Sequence, residues 1–381
     1  MEQPTANNQD TFIERVRLQG YKSIEDVEIM FKPGLNILIG ANGSGKTNFV
    51  RFLDVVLSEK YSSKVGSFES EVVYRANKKK YAHWLEYKAL SPGKSSLGAV
   101  NHKVIIDDKK EIKTGGWGLG ATEEWFIWYR EWQNILRPTL ISYGVSEDFG
   151  NINAIAKTEI VGNTLESNRY LEVQPSLSEG LYQLFYRLFS SIIDSDDGEK
   201  INRSFPPKFL ENLSFYTPVK DIRLEPGYRV EPTKNGKEIL HVRFEFFVDG
   251  KWRPWTHLSD GTKRLVYIIT EVTFANNIIL LEEPELGIHP HQLSKLMDFL
   301  EAAAEHKQII LTTHSPQVLN VLHTNELDRI IVVRYEKDNG TKMSHLTEEE
   351  QEHARTYMEA GGLDLSDYWV HSSLEKETES V

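Results

Sequence analysis

Residues 40–47 read GANGSGKT, and this octapeptide constrains the chain more than any other stretch. The residues before it, LNILI, form a short apolar run. The residues after it, NFVRFLDVVL, place Phe49, Phe52, Leu53, Val56 and Leu57 at helical spacing. A buried strand therefore ends and a helix begins at the octapeptide, which is the context in which G-x-x-x-x-G-K-[ST] forms a phosphate-binding loop. Gly40, Gly43 and Gly45 let the backbone curl until its N–H groups point inward at an anion. The N-terminus of the following helix adds partial positive charge at the same point. Lys46 is the residue to reach the β- and γ-phosphates, and the Thr47 hydroxyl the one to hold Mg²⁺. The pattern predicts a nucleoside triphosphate site.

The rest of the composition narrows the class. At 381 residues there is room for one large α/β domain with an insertion, or for two domains. No apolar run approaches the roughly 18–20 residues that cross a bilayer, and the start, MEQPTANNQDTF, carries no apolar signal core. The absence of cysteine excludes a disulfide framework and thiolate chemistry, and suits a cytoplasmic location. The formal net charge of −12 weighs against general electrostatic wrapping of nucleic acid, so any such contact needs a local patch or a partner.

Along the chain, FIERVRLQGYKSIEDVEIMF reads as two strands around a turn at Gly20–Ser23. Strand-like runs SEVVYRA, AHWLEYKAL and AVNHKVIID follow the first helix, and GGWGLG reads as a flexible loop. TEEWFIWYREWQNILRP sets Trp125, Trp128, Trp132 and Ile135 on one helical face, a pattern read as core rather than as a base-stacking platform. SLSEGLYQLFYRLFSSII does the same with Leu177, Leu181, Leu184, Leu188 and Ile192, and DSDDGEK reads as a solvated loop. ILHVRFEFFVDGKWRPW predicts a hairpin turning at Asp249-Gly250, and an acidic tail follows Leu374. The expected segments are 12–60, a first lobe with the phosphate-binding loop; 61–239, a β/α insertion with the remaining first-lobe strands; 240–345, a second lobe; and 346–381, a helical, acidic tail.

Three further motifs share one chemistry. In NNIILLEEPELGIHP the continuous run IILL reads as a strand buried on both faces, ending in Glu282 and Glu283. Adjacent carboxylates repel unless a cation lies between them and phosphate, so one is expected in the Mg²⁺ shell and the other beside the attacking water. QIILTTHSP is a second such strand, closed by Thr312, Thr313, His314 and Ser315, where a histidine can sense a γ-phosphate. HLSDGTKRLVYIITEVTF sets Ser259, Asp260 and Gly261 before a helix whose N-terminus offers further N–H groups to phosphate.

In this order the motifs resemble the ABC-type ATPases, and within them the RecF/SMC/OLD-like branch of stand-alone ATPases. GANGSGKT looks like Walker A, LSDGT like the signature, IILLEEPE like Walker B, TTHSP like the switch-histidine loop, and LQGYKSIEDVEI like the opening of that branch. The resemblance covers 12–60 and 240–335 well and the middle poorly. It implies an α/β P-loop head of ABC type, here with a mixed β/α insertion between Walker A and the signature. No heptads are present to form a long coiled coil. It implies ATP hydrolysis with Mg²⁺ and a homodimer sandwiching two ATP molecules, or a larger assembly. Asn42, Gly43, Ser44, Gly45, Lys46, Thr47 and Asn48 would line ATP in one copy, with Ser259 and Gly261 supplied in trans. Glu283 would be the catalytic base, His314 the γ-phosphate sensor with Lys46 beside it, and Thr47 and Glu282 the Mg²⁺ residues. Three departures stand out: Glu282 where Asp is commoner, Asp260 where Gly is usual, and a Q-loop glutamine for which Gln133 and Gln174 are both candidates. His289 and His291 could suggest a second cation site, and a loop at the dimer face fits them equally well. The compact insertion is most similar to small RecF/OLD-like ATPases of anti-phage systems, which implies a separate effector such as a nuclease or toxin. The alternatives are a RecF-like DNA-binding ATPase, to which ANKKKYAHW and KDIRLEPGYR would contribute, and a scaffold with a structural ATP site.

Overall fold

The structure is a computed structural model that describes residues 11–61, 66–89, 99–115, 123–142, 152–160, 167–174, 182, 184–188, 205–233, 236–275, 277–361 and 364–372. The chain divides into two units, Met1–Ile141 with Ala275–Glu285 and Leu300–Val381, and Ser142–Phe274 with Leu286–Phe299. The architecture is the expected mixed α/β one, and no long coiled coil occurs among the described residues.

The first unit contains two six-stranded sheets. In one, Ile24–Met30, Phe12–Tyr21, Phe68–Ala76, Lys79–Lys88, Ala99–Ile106 and Lys110–Gly115 lie side by side in that order, all antiparallel. Period-two alternation explains its two faces: Val16, Leu18, Val72, Leu85 and Val104 are buried, while Arg15 on the other face pairs with Glu28 at 2.6 Å and Glu71 at 2.8 Å. The basic run NKKK supplies a hairpin turn, with Asn77 and Lys78 both at positive φ.

The other sheet has the order Gly340–His345, Ile330–Glu336, Leu35–Ile39, Gln308–Thr313, Ile278–Glu282, Thr139–Ile141. All pairs are parallel except the first. The three strands preceding the nucleotide motifs are buried at every residue, which is why they read as unbroken apolar runs. Helix Lys46–Leu57 buries Phe49, Phe52, Leu53 and Val56 in a core shared with both sheets. Phe52 meets Tyr21 and Phe68 edge-on, with ring centres 5.4 and 5.6 Å away.

Helix Glu123–Ile135 closes the far end of that core. Trp125, Trp128 and Trp132 are buried, and Trp128 Nε1 donates to the Tyr74 hydroxyl at 2.9 Å. Beneath them lies a histidine pair, with His83 Nε2 and His102 Nδ1 3.0 Å apart and the rings nearly parallel. One proton serves that contact, and burial opposes a charge on either ring.

The second unit has a four-stranded antiparallel sheet, Ser167–Gln174, Ile152–Ile160, Gly236–Val242, Arg229–Thr233, and a three-stranded one, Asp221–Leu224, Phe244–Val248, Lys251–Pro254. The predicted hairpin turns at Asp249-Gly250, both at positive φ. Helix Asp260–Phe274 buries Leu265, Ile268, Ile269 and Val272. It also buries Glu271, which burial pushes up to about 7 against the opposing pull of Arg187 at 3.7 Å. Arg223, in one of the basic stretches, bonds Glu245 at 2.7 Å and lies over the Trp252 ring. Leu184 and Leu188 are buried in a helical stretch. Leu177, Leu181, Ile192, the DSDDGEK loop, the run 116–121 and the tail beyond Leu374 lie outside the described residues, as do the side chain of Ile135 and residues 1–10.

The histidine pair gives the stability a pH signature. Burial pushes His83 well below the usual imidazole range, aided by its neighbour, and holds His102 down at about 4. The unfolded chain, with histidine near 6.5, binds these protons more readily, so stability is full above about pH 6.5 and is lost as pH falls through about 4. For His102 alone the span corresponds to roughly 3 kcal/mol. Urea midpoints measured from pH 7.5 to 4.5 should fall more steeply for wild type than for a His83→Phe/His102→Phe double variant. Parallel slopes would sink this account.

Candidate nucleotide site

Strand register assembles the motifs within the first unit. Leu35–Ile39 pairs with Gln308–Thr313, which pairs in turn with Ile278–Glu282. Ile39 lies opposite Thr313, and Glu282 opposite Thr312. The residues leaving the C-terminal ends of three adjacent parallel strands are therefore Gly40, Glu283 and His314. In open parallel sheets that edge is where ligands bind.

The loop has no room for side chains at two glycines. A Cβ at Gly45, whose φ is 110°, would collide with the Thr341 hydroxyl, and one at Gly40 with the Val333 carbonyl. Thr341 is itself fixed: its N–H donates to the Ser23 carbonyl at 2.7 Å and its hydroxyl bonds Ser23 Oγ at 2.9 Å. Asn48 Nδ2 donates to the same Ser23 Oγ at 2.9 Å. The C-terminal hairpin and the turn after the first strand thus brace the loop from outside.

Inside the loop, Lys46 Nζ donates to the carbonyls of Gly40 at 2.6 Å and Ala41 at 2.9 Å. The loop folds around an ammonium that has turned onto its own backbone. Ser44 Oγ is buried without a hydrogen-bond partner, and Thr312 Oγ1 at the neighbouring strand end is likewise unpartnered. Buried polar atoms in that condition are completed by water, an ion or a ligand. Asn42, Gly43 and Thr47 are exposed. A triphosphate fits this cradle of inward-curled backbone, lysine and unsatisfied hydroxyls.

The carboxylates differ in environment. Glu282 is 7% exposed, and burial pushes its carboxyl above the ordinary range while Arg51, with Nε 3.5 Å from Oε1, pulls it back. Glu283 has φ 42°, the left-handed region that a side chain enters at a cost of order 1–3 kcal/mol. Its N–H is held by the Thr312 carbonyl at 2.9 Å, which fixes the kink. Glu283 Oε1 lies 3.6 Å from His314 Nδ1, and Glu285 Oε1 lies 3.5 Å from the same nitrogen.

In the second unit, helix Asp260–Phe274 starts two residues earlier in the motif than the sequence suggests, with Asp260 and Gly261 already in its first turn. The reason is Ser259, whose Oγ accepts the Thr262 N–H at 3.2 Å and so caps the helix. Gly261 has no space for a side chain, since a Cβ would come 2.8 Å from the Gly287 carbonyl. The Asp260 side chain is 82% exposed and 3.5 Å from Lys263. Gln133 lies near the Tyr129 hydroxyl, and Gln174 ends the strand Ser167–Gln174. His289 and His291 stack against each other with ring centres 5.4 Å apart, and neither joins a three-ligand cluster among the described residues.

Sequence reasoning missed Arg51, Glu285, Ser23 and Thr341. Arg51 carried a usable signal, since it lies one helical turn beyond Thr47 on the loop's own helix. Glu285 stood in the quoted EEPE run without a role. Ser23 and Thr341 carried no signal, because their pairing joins residues 318 apart.

Residues 129–320, half of the chain, match the family described as "AAA domain, putative AbiEii toxin, Type IV TA system". Residues 12–115 match the family described as "AAA ATPase domain". Among curated proteins the chain is 25% identical over 238 residues to "Retron Vc95 probable ATPase" of Vibrio cholerae serotype O1 biovar El Tor, covering 60% of this chain and 42% of that protein. It is 26% identical over 145 residues to "Old nuclease" of Escherichia phage P2, covering 34% and 22%. It is 43% identical over 54 residues to "Structural maintenance of chromosomes protein 3" of Saccharomyces cerevisiae, covering 14% and 4%. The chain spans less than half the length of each of these relatives. Among solved structures, an SMC head bound to the C-terminal winged-helix domain of ScpA aligns with a TM-score of 0.48 at 18% identity, covering 90% of this chain and 99% of that one. With the phosphate-binding loop and the two strand-end motifs assembled on one sheet, and with half of its length matched, the chain belongs to the AAA-domain P-loop ATPase family of the AbiEii toxin type.

Proposed function

We propose that this protein is an ATP-hydrolysing switch of ABC type, which closes head to head around two ATP molecules and controls a separate effector. The observation that carries this reading is the adjacency of three strand ends, which brings Lys46, Glu283 and His314 to one edge of one sheet. The family description, which names a toxin of a toxin–antitoxin system, and the name of the phage P2 relative, a nuclease, are the grounds for reading the effector as a toxin or nuclease.

The loop residues Asn42 to Asn48 cradle the phosphates, and Lys46 exchanges the carbonyls of Gly40 and Ala41 for phosphate oxygens. Thr47 and Glu282 hold Mg²⁺, which when bound neutralises phosphate charge. Glu283 accepts a proton from the attacking water at a carboxylate oxygen, and its fixed left-handed backbone keeps that oxygen from relaxing away. His314, at the strand end beside Glu283, senses the γ-phosphate. Ser259 and Gly261 complete the site of the second copy at the N-terminus of helix Asp260–Phe274. Asp260, exposed beside them, sets a charge penalty that makes turnover conditional on correct closure.

Steady-state ATPase and light scattering with and without Mg-ATP test the switch. Glu283→Gln should lower kcat by about 100-fold or more, the range lost with a general base, and should accumulate as an ATP-bound dimer. Wild type and variant that assemble alike and both fail to hydrolyse ATP would leave only a structural nucleotide site. Gly45→Ala should abolish ATP binding measured by fluorescent-nucleotide titration, since it combines a left-handed φ with a collision on Thr341. Unchanged affinity would show that the loop reshapes freely.

A further inference from the structure

Glu285 is a buried carboxylate with no part in the nucleotide chemistry set out above. Its side chain is 8% exposed, against 24% for Glu283. Oε1 accepts the Thr313 hydroxyl at 2.6 Å and the His314 backbone N–H at 3.2 Å. Oε2 is buried without a hydrogen-bond partner. An ionised carboxylate withdrawn from water this far is costly unless a cationic group or further donors lie beside it. The group placed to do that is the His314 ring, whose Nδ1 is 3.5 Å from Glu285 Oε1.

The same nitrogen is 3.6 Å from Glu283 Oε1. Both distances lie just beyond hydrogen-bond length, so a small rotation of the ring closes one contact and opens the other. A ring bonded to Glu283 would occupy the carboxylate that has to receive the water's proton. A ring bonded to Glu285 does not compete for that carboxylate, and fixes the proton on Nδ1.

From this arrangement we infer that Glu285 is a positioning residue for His314, holding its Nδ1–H so that the ring does not compete with water for Glu283. The inference rests on the ATPase reading of the site. Glu285 touches no reacting atom; it acts through the imidazole. It also ties the two motifs together, because the Thr313 hydroxyl and the backbone N–H of His314 are both held by one carboxylate from the loop after the Glu282 strand.

Glu285→Gln separates this role from simple architecture. The amide keeps a carbonyl oxygen to accept from Thr313 and the His314 N–H, while the charge facing the ring is gone. Expected is a 10- to 100-fold fall in kcat (about 1.4–2.7 kcal/mol) with the affinity for ATP unchanged, and partial recovery in Glu285→Asp. In a His314→Ala background Glu285→Gln should cause no further loss, since the two residues act as one unit. Nitrogen-15 spectra of the His314 ring should show the Nδ1-protonated form in wild type and a redistribution toward Nε2–H in Glu285→Gln. An equal loss from Glu285→Gln with and without His314, or an unchanged ring spectrum, would overturn the inference while leaving the ATPase reading intact. Absence of hydrolysis by wild type would instead strike the ATPase reading, and the ring spectrum would still decide the role of Glu285.

Discussion

Everything at the nucleotide site depends on three strands that offer no face to water. Leu35–Ile39, Gln308–Thr313 and Ile278–Glu282 are buried throughout, so each must find partners on both edges and cover on both faces. Their parallel pairing is the outcome, and it sets the C-terminal ends of all three along one edge of the sheet. Segments that are more than 200 residues apart in the sequence thereby become neighbours. The hydrophobic core does the assembling, and the charged groups at the strand ends are carried to it.

Those charged groups are then held under tension. Glu282 stays at the rim of the core, pushed toward neutrality by burial and restrained by Arg51. Glu283 is forced into a left-handed conformation in the next residue. A chain that turned more comfortably here would point the second carboxylate elsewhere, and strain of this kind persists only where the surroundings over-determine it. The Thr312 carbonyl, clamping the Glu283 N–H, is part of that determination.

The sequence was most readable where burial leaves a repetitive mark. LNILI, IILL and QIIL announced parallel strands because both faces are apolar, and NFVRFLDVVL announced a helix by its spacing. The Asp249-Gly250 hairpin was visible because its turn needs positive φ twice. The edge strand Thr139–Ile141 was not, since three residues are too short to show a period. Nor were Arg51, Glu285, Ser23 and Thr341, whose roles arise from single hydrogen bonds or ion pairs chosen across the fold. Patterns encode faces; they do not encode partners. The start of helix Asp260–Phe274 shows the same limit at short range, because whether Ser259 caps or merely precedes the helix turns on one bond to Thr262.

The brace between Ser23 and Thr341 has a consequence for the order in which this molecule comes into being. The glycine loop is made early in synthesis, yet its shape is bounded by a threonine 318 residues beyond the serine that anchors it. A contact spanning most of a chain is among the last to form, because closing so large a loop has to await the contacts nested within it. The nascent chain therefore carries the phosphate-binding sequence long before it carries a phosphate-binding site. The loop acquires its outer wall only when the closing hairpin docks, so its final shape is a product of the folded unit and not of the local sequence.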